Sequence, residues 1–172
     1  MIAADLMTTE PTSLRCDDEV TTAVSLMHRL GIHHLPVLDE RDQLIGMLSD
    51  SDLNSLLLPH VLRQEGQASA AARARAPVSM LLRGEPVCVS MEDDASTVVQ
   101  RMTQHGVSAV PVVDAAGKLV GIVSFLDLLR HYVEEERRWA SARRASEQRL
   151  DLVRKADPRA HRLATDPSQR GA

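Results

Sequence analysis

An internal repeat constrains this chain more than any other feature. Displaced by 75 positions, residues 11–53 align with 86–128 without a gap, and fourteen of the 43 pairs are identical. Unrelated segments of that length would share about three. The identities include Gly31 with Gly106, Pro36 with Pro111, Val37 with Val112, Asp39 with Asp114, Gly46 with Gly121, Ser49 with Ser124, Asp52 with Asp127 and Leu53 with Leu128. A duplication of this kind makes one structural unit twice, and neighbouring copies bury a shared core.

Each copy reads as β-α-β-β-α. Short opening strands are expected near 12–14 and 87–89. An acidic cluster follows (Asp17, Asp18, Glu19, or Glu92, Asp93, Asp94) and supplies caps and favourable charge to a helix N-terminus. Apolar residues then recur at helical spacing: Val20, Ala23, Val24, Met27 and Leu30, and in the second copy Ala95, Val98, Val99 and Met102. Gly31 and Gly106 stand where a helix C-terminal glycine belongs. A buried strand over 35–38 or 110–113, with Pro36 or Pro111 at its start where a missing N–H is tolerable, and a second over 44–48 or 119–123 make a hairpin. Asp42 replaces the turn glycine of the second copy, Gly117, so the two loops are expected to differ in shape. Ser49 and Ser124 open the last helix of each copy.

Composition excludes several classes of function. The 172 residues are 44% hydrophobic and 26% charged, ordinary for a folded soluble chain. No apolar run approaches the ~20 residues that span a bilayer, and nothing resembles a signal peptide, so a cytoplasmic location is expected. Aromatic residues are 2% of the chain, too few for base-stacking platforms. From Glu134 onward ten Lys/Arg face seven Asp/Glu, leaving the preceding body with ten against seventeen. That acidic body disfavours nucleic acid. Cys16 and Cys88 form no CxxC pair and read as small buried hydrophobes. There is no Gly-rich phosphate loop, zinc motif or GxSxG elbow, so an enzyme is not expected.

With these residues in view, the chain resembles the CBS-domain family (the cystathionine-β-synthase regulatory repeat, paired as a Bateman module). The resemblance rests on Gly31-Ile32-His33-His34-Leu35-Pro36-Val37-Leu38-Asp39 and on Leu44-Ile45-Gly46-Met47-Leu48-Ser49-Asp50-Ser51-Asp52-Leu53. Their counterparts are Gly106 to Asp114 and Leu119 to Leu128, and Asp5-Leu6-Met7 resembles the start of a repeat. It implies an α+β fold of tandem β-α-β-β-α repeats packed as a pseudo-twofold pair, here with an extra C-terminal helix. On this basis 1–58 is the first repeat, 59–78 a linker, 79–133 the second repeat, 134–156 the extra helix and 157–172 a disordered tail. It also implies a homodimer and clefts between repeats for an adenosine-containing ligand: AMP, ADP, ATP or S-adenosylmethionine. No cofactor is obligatory. A chain that starts at its first repeat is expected to act on a separate effector protein rather than on an attached domain. A ligand-free dimerisation or interaction scaffold is the alternative.

Two readings compete at the candidate site. Ser49 with Asp52, and Ser124 with Asp127, fit a capping box with Asp in place of Glu. The same geometry gathers free N–H groups for a phosphate and a carboxylate for two ribose hydroxyls. Asp50 adds negative charge beside Ser49 where the second copy has Phe125, so the Ser124 and Asp127 cleft is expected to be the better one. Relatives carry Arg just before the Asp; Ser51 and Leu126 replace it here, which favours AMP or S-adenosylmethionine over ATP. The resemblance also brings in His33 and His34, with their counterparts Ser108 and Ala109, at positions where relatives meet ligand phosphates. Ser13 and Cys88 lie on the opening strands that line an adenine pocket in relatives. Each of these also fits plain burial or a polar strand start. The helix expected from Glu134 to Lys155 has no clean heptad, although Trp139, Leu150 and Val153 give it apolar surface to dock with.

Overall fold

The computed structural model describes residues 1–57 and 67–156. The element order is α1 (Ala3–Leu6), β1 (Thr8–Thr9), β2 (Leu14–Arg15), α2 (Val20–Leu30), β3 (His34–Leu38), β4 (Leu44–Ser49) and α3 (Asp50–Leu57). It continues with α4 (Gln67–Ala74), a 3-10 turn (Val78–Leu81), β5 (Val89–Ser90), α5 (Ala95–His105), β6 (Ala109–Val113), β7 (Leu119–Ser124) and α6 (Phe125–Ala156). Residues 58–66, the last position of the expected first repeat and the first part of the expected linker, and the tail expected over 157–172 lie outside the described residues.

Helices begin and end where local chemistry sets them. The Asp94 carboxylate accepts from the Thr97 N–H at 2.7 Å and caps α5. That bond first, then the Ser96 hydroxyl, holds its carboxyl below the usual range. Glu19 stands at the matching position before α2 but makes no side-chain cap. Gly31 and Gly106 end their helices at φ 64, a left-handed conformation that costs glycine nothing. Along α2, Val20, Ala23 and Met27 are buried, whereas Val24, Leu30 and, on α5, Val99 stay exposed.

The strands form two sheets, ordered β2-β3-β4 and β1-β7-β6-β5. In the first, β2 runs parallel to β3, and β3 pairs antiparallel with β4 through Leu35 with Leu48 and Val37 with Gly46. The second repeats this register through Val110 with Val123 and Val112 with Gly121. Pro36 lies inside β3, not at its start. The Asp50 N–H donates to the His33 carbonyl, which makes His34 with Ser49, and Pro36 with Met47, the pairs that exchange no ladder bonds. The absent proline N–H therefore points away from β4, beyond the end of two-residue β2.

The turns correct one expectation: they share a shape. Asp42 adopts φ 60 where Gly117 adopts φ 78, and each loop closes with the same bonds, Asp39 to Gln43 and Asp114 to Lys118. Asp is one of the few residues that tolerates this backbone. The Asp39 and Asp114 carboxylates brace both loops by accepting N–H groups two and four residues on. Arg15 adds a 2.8 Å ion pair to Asp42 in the first repeat.

Each repeat's core is completed by a segment that leads into the other. Ala3 and Leu6 of α1 are buried with Val89, Val98, Met102, Val110, Val112 and Val123 of the second repeat. Val78, from the segment before the second repeat, is buried with Leu14, Val20, Met27, Leu35, Val37 and Leu48 of the first. The backbone bonds match after the 75-residue displacement: Ala3 N–H to Asp93 and Ala4 N–H to Met91 mirror Val78 N–H to Asp18 and Ser79 N–H to Cys16. This exchange gives the pair its pseudo-twofold character.

Contacts divide the chain into Met1–Leu128, which holds both repeats, and a unit from Leu129 onward. The extra C-terminal helix is the unbroken continuation of the second repeat's last helix, 32 residues in all. No helix among the described residues is long and apolar enough to cross a membrane.

Two glycines hold the exchanged segments close. A Cβ on Gly46 would sit 2.6 Å from Leu82, and one on Gly121 2.9 Å from Met7 Cγ. Gly121→Val is expected to lower the unfolding free energy by about 1–3 kcal/mol, read from the urea midpoint. Because the clash is with Met7, adding Met7→Ala should recover part of the loss; strictly additive costs would show that the contact is not the cause.

Candidate functional site

The end of β4 and the start of α3 carry a reciprocal box of hydrogen bonds. The Ser49 N–H donates to Asp52 Oδ2 at 3.0 Å, and the Asp52 N–H donates back to Ser49 Oγ at 3.3 Å. Ser49 Oγ also donates to Oδ2 at 2.5 Å, so the box loads one carboxylate oxygen and does not use Oδ1. Ser124 and Asp127 repeat the arrangement, with bonds of 2.8 Å, 3.4 Å and 2.5 Å. The capping reading of both pairs therefore holds. It also fixes each aspartate rotamer at a helix N-terminus, which is what a ribose-binding carboxylate needs.

The two histidines diverge. His33 is exposed, and its Nδ1 lies 2.9 Å from Asp50 Oδ2. His34 points the other way and is half-buried; its Nε2 meets Ser108 Oγ at 2.8 Å, joining the first repeat to the second. Neighbouring strand residues face opposite sides, so only one of two adjacent histidines can reach across. Burial lowers the His34 pKa; Asp50 raises it, His33 lowers it and Asp52 raises it, in decreasing order.

Around this bond lies a cleft of about 270 Å³, lined from the first repeat by His34, Met47, Ser49, Asp50, Ser51 and Asp52. From the second repeat come Val87, Gly106, Val107, Ser108, Ala109 and Pro111. Thus five expected site residues, His34, Ser49, Asp52, Ser108 and Ala109, meet in one place although 75 residues separate their segments in sequence. Ser124 and Asp127 sit at the equivalent helix start of the second repeat, and Ser13, half-buried, precedes β2. Phe125 and Leu126 are exposed.

The cleft takes Val87 where Cys88 was expected. Cys88 is half-buried beside it, its Sγ 3.4 Å from the Pro86 carbonyl, and burial pushes the thiol pKa up. Alternation along an extended segment separates the two residues, and a one-residue choice of parity decides which faces the cleft. Met47, Val107 and Pro111 were also missed; each is apolar and carries no chemical signal in sequence. The lining holds, among the described residues, two carboxylates, from Asp50 and Asp52, and no Lys or Arg. Among the described residues no group of three or more His, Cys, Asp and Glu is placed to hold a metal ion.

The family model of the CBS domain matches this chain twice, over residues 3–59 and 78–134, and the chain belongs to that family. A homoserine O-acetyltransferase of Methanococcoides burtonii is 25% identical over 127 residues, which cover 74% of this chain. The chain spans only 23% of that relative's length. Among solved structures, the CBS-pair protein CBSX2 of Arabidopsis thaliana, in complex with AMP, is 24% identical with a TM-score of 0.66, covering 78% of this chain and 98% of that one. The CBS domain pair of protein MJ0100, in complex with 5′-methylthioadenosine and S-adenosylmethionine, is 21% identical with a TM-score of 0.63, at 78% and 98% coverage. At these identities the two structures establish the fold.

The half-buried His34 sets a pH dependence. The unfolded chain takes up a proton near pH 6.5, whereas the folded one resists it until lower pH. The unfolded state then binds more protons, so stability is full above about pH 6.5 and falls as the pH drops towards the folded value. His34→Gln, which keeps a partner for Ser108, is expected to lose less melting temperature than the wild type between about pH 7.5 and 5.5. Equal losses in the two proteins would exonerate His34.

Proposed function

We propose that this chain is a regulatory sensor that binds an adenosine-containing ligand in the cleft between its repeats and passes the occupancy to a separate protein. The observation that carries this reading is the convergence of His34, Ser49 and Asp52 with Ser108 and Ala109 around one opening. The complexes of CBSX2 with AMP and of MJ0100 with methylthioadenosine and S-adenosylmethionine support adenosine as the common element. The Asp52 carboxylate, held by Ser49, is the ribose acceptor. Val87, Val107 and Pro111 offer apolar faces to a base.

Charge selects among the candidates. A polyphosphate would enter a cleft with two carboxylates and no Lys or Arg among the described lining residues, at a cost that grows with each phosphate. The sulfonium and ammonium groups of S-adenosylmethionine meet the opposite situation. The sequence favoured the Ser124 side because Asp50 repels phosphate; the same Asp50 favours a cationic ligand on the Ser49 side. S-adenosylmethionine is thus the preferred ligand here, AMP the next, and ATP the weakest.

Regulation follows from the cross-repeat contact. The His34 bond to Ser108 ties the two repeats together, and a ligand that binds one relative placement more tightly shifts the equilibrium by that difference in affinity. We assign the chain a regulatory rather than a catalytic role, in a homodimer whose apolar contact surface includes the exposed Val24, Leu30 and Val99. The scaffold alternative predicts clefts filled by Phe125 and Leu126; their exposure speaks against it.

Calorimetry with S-adenosylmethionine, AMP and ATP tests this. Binding is expected in that order of affinity, and Asp52→Ala should weaken the first at least about tenfold, the worth of a charged hydrogen bond. Asp127→Ala serves as the comparison. No binding by any of the three, or binding indifferent to both substitutions, would sink the proposal.

A further inference from the structure

The second unit carries a surface that the ligand site does not use. Helix α6 runs unbroken for 32 residues, about 48 Å at 1.5 Å per residue. Its large apolar side chains stand in solvent: Leu129 is 58% exposed, Tyr132 62%, Trp139 72% and Leu150 57%. At 100° per residue, Leu129, Tyr132, Val133, Glu136, Ala140, Arg143, Glu147 and Leu150 fall on one stripe, with Trp139 at its edge. Glu136 and Arg143 interrupt the apolar run, which is why no clean heptad is legible.

Two properties say what covers this stripe. The first is charge. Residues 127–136 hold four acidic residues against one Arg, whereas residues 137–155 hold seven Lys/Arg against two acidic residues. A second α6 laid parallel would set acid on acid and base on base; laid antiparallel, each half meets its opposite. The second is symmetry about the midpoint between Trp139 and Ala140. Reversing the helix there places Leu129 opposite Leu150 and Glu136 opposite Arg143. A surface that complements its own reverse is what a twofold contact requires.

We propose that α6 pairs antiparallel with α6 of a second copy of this chain, with Trp139 and Ala140 at the dyad and Glu136 against Arg143 of the second copy on either side. Leu129 packs on Leu150 at each end. The two flanking ion pairs favour this register and direction, because a slip of one turn removes both. This contact is independent of the ligand and of the repeats' own surfaces. It also explains how a helix polar over most of its circumference stays formed so far beyond the second repeat's core.

Cross-linking of the full chain in a Cys16→Ser, Cys88→Ser background, with a short bis-maleimide, tests the geometry. Ala140→Cys is expected to cross-link to itself. Leu129→Cys and Leu150→Cys are each expected to fail alone, since ~31 Å of helix separates like positions, and to cross-link when mixed. Sedimentation equilibrium tests the register. Glu136→Arg or Arg143→Glu alone should weaken self-association through α6 about tenfold or more, and the double reversal should restore it. Because the repeats can hold a dimer of their own, association is compared with a Trp139→Glu variant, whose residual affinity sets the baseline. Self-linking of Leu129→Cys would establish a parallel pairing and overturn the proposal. Absence of every cross-link, or a double reversal as weak as the singles, would overturn it equally and leave α6 to a different partner. Ligand binding is read separately by calorimetry, so failure here leaves the sensor reading untouched.

Discussion

Everything in the paired repeats depends on the exchange of their leading segments. Neither repeat closes its core alone: Val78 fills the first, and Ala3 with Leu6 fills the second. Gly46 and Gly121 leave room for Leu82 and Met7 to lie on the strands they cover. Removing either segment would expose one face of a sheet of only three or four strands. The exchange thus ties the relative placement of the repeats to the burial of both cores, and the cleft lies between the repeats so placed.

The candidate site shows how little special chemistry such a cleft needs. Its aspartate is held by a helix-capping arrangement that the fold would form in any case, and it occurs identically in both repeats. What distinguishes the two boxes is their surroundings: Asp50 and His34 near the first, Phe125 beside the second. The charge around them therefore resides in residues that the duplication did not preserve. His34 has a double position, as a bridge between repeats and as a half-buried base whose protonation opposes folding.

Legibility followed the physics of each signal. The helices with their glycine ends, the hairpins and the capping boxes arise from contacts within a few residues, and all were readable from spacing. The difference expected between the two hairpin loops was not borne out, because Asp42 accepts the backbone that Gly117 adopts and the Asp39 carboxylate supports it. The placing of Pro36 at a strand start failed for a related reason: its harmlessness depends on the length of a neighbouring strand. Cleft residues such as Val87 and Pro111 carry no polar signature, and the choice of Val87 over Cys88 turns on strand parity.

By itself the sequence determined that one β-α-β-β-α unit occurs twice, where the glycine-ended helices stop, and which aspartates are locked at helix starts, since these rest on periodicity and local hydrogen bonding. Only the tertiary structure decided that each leading segment serves the other repeat's core, that His34 rather than His33 reaches Ser108, and which faces form one cleft. Those outcomes join residues some 75 positions apart. Contacts at that separation are selected by shape and burial of the whole pair, and no local pattern encodes them.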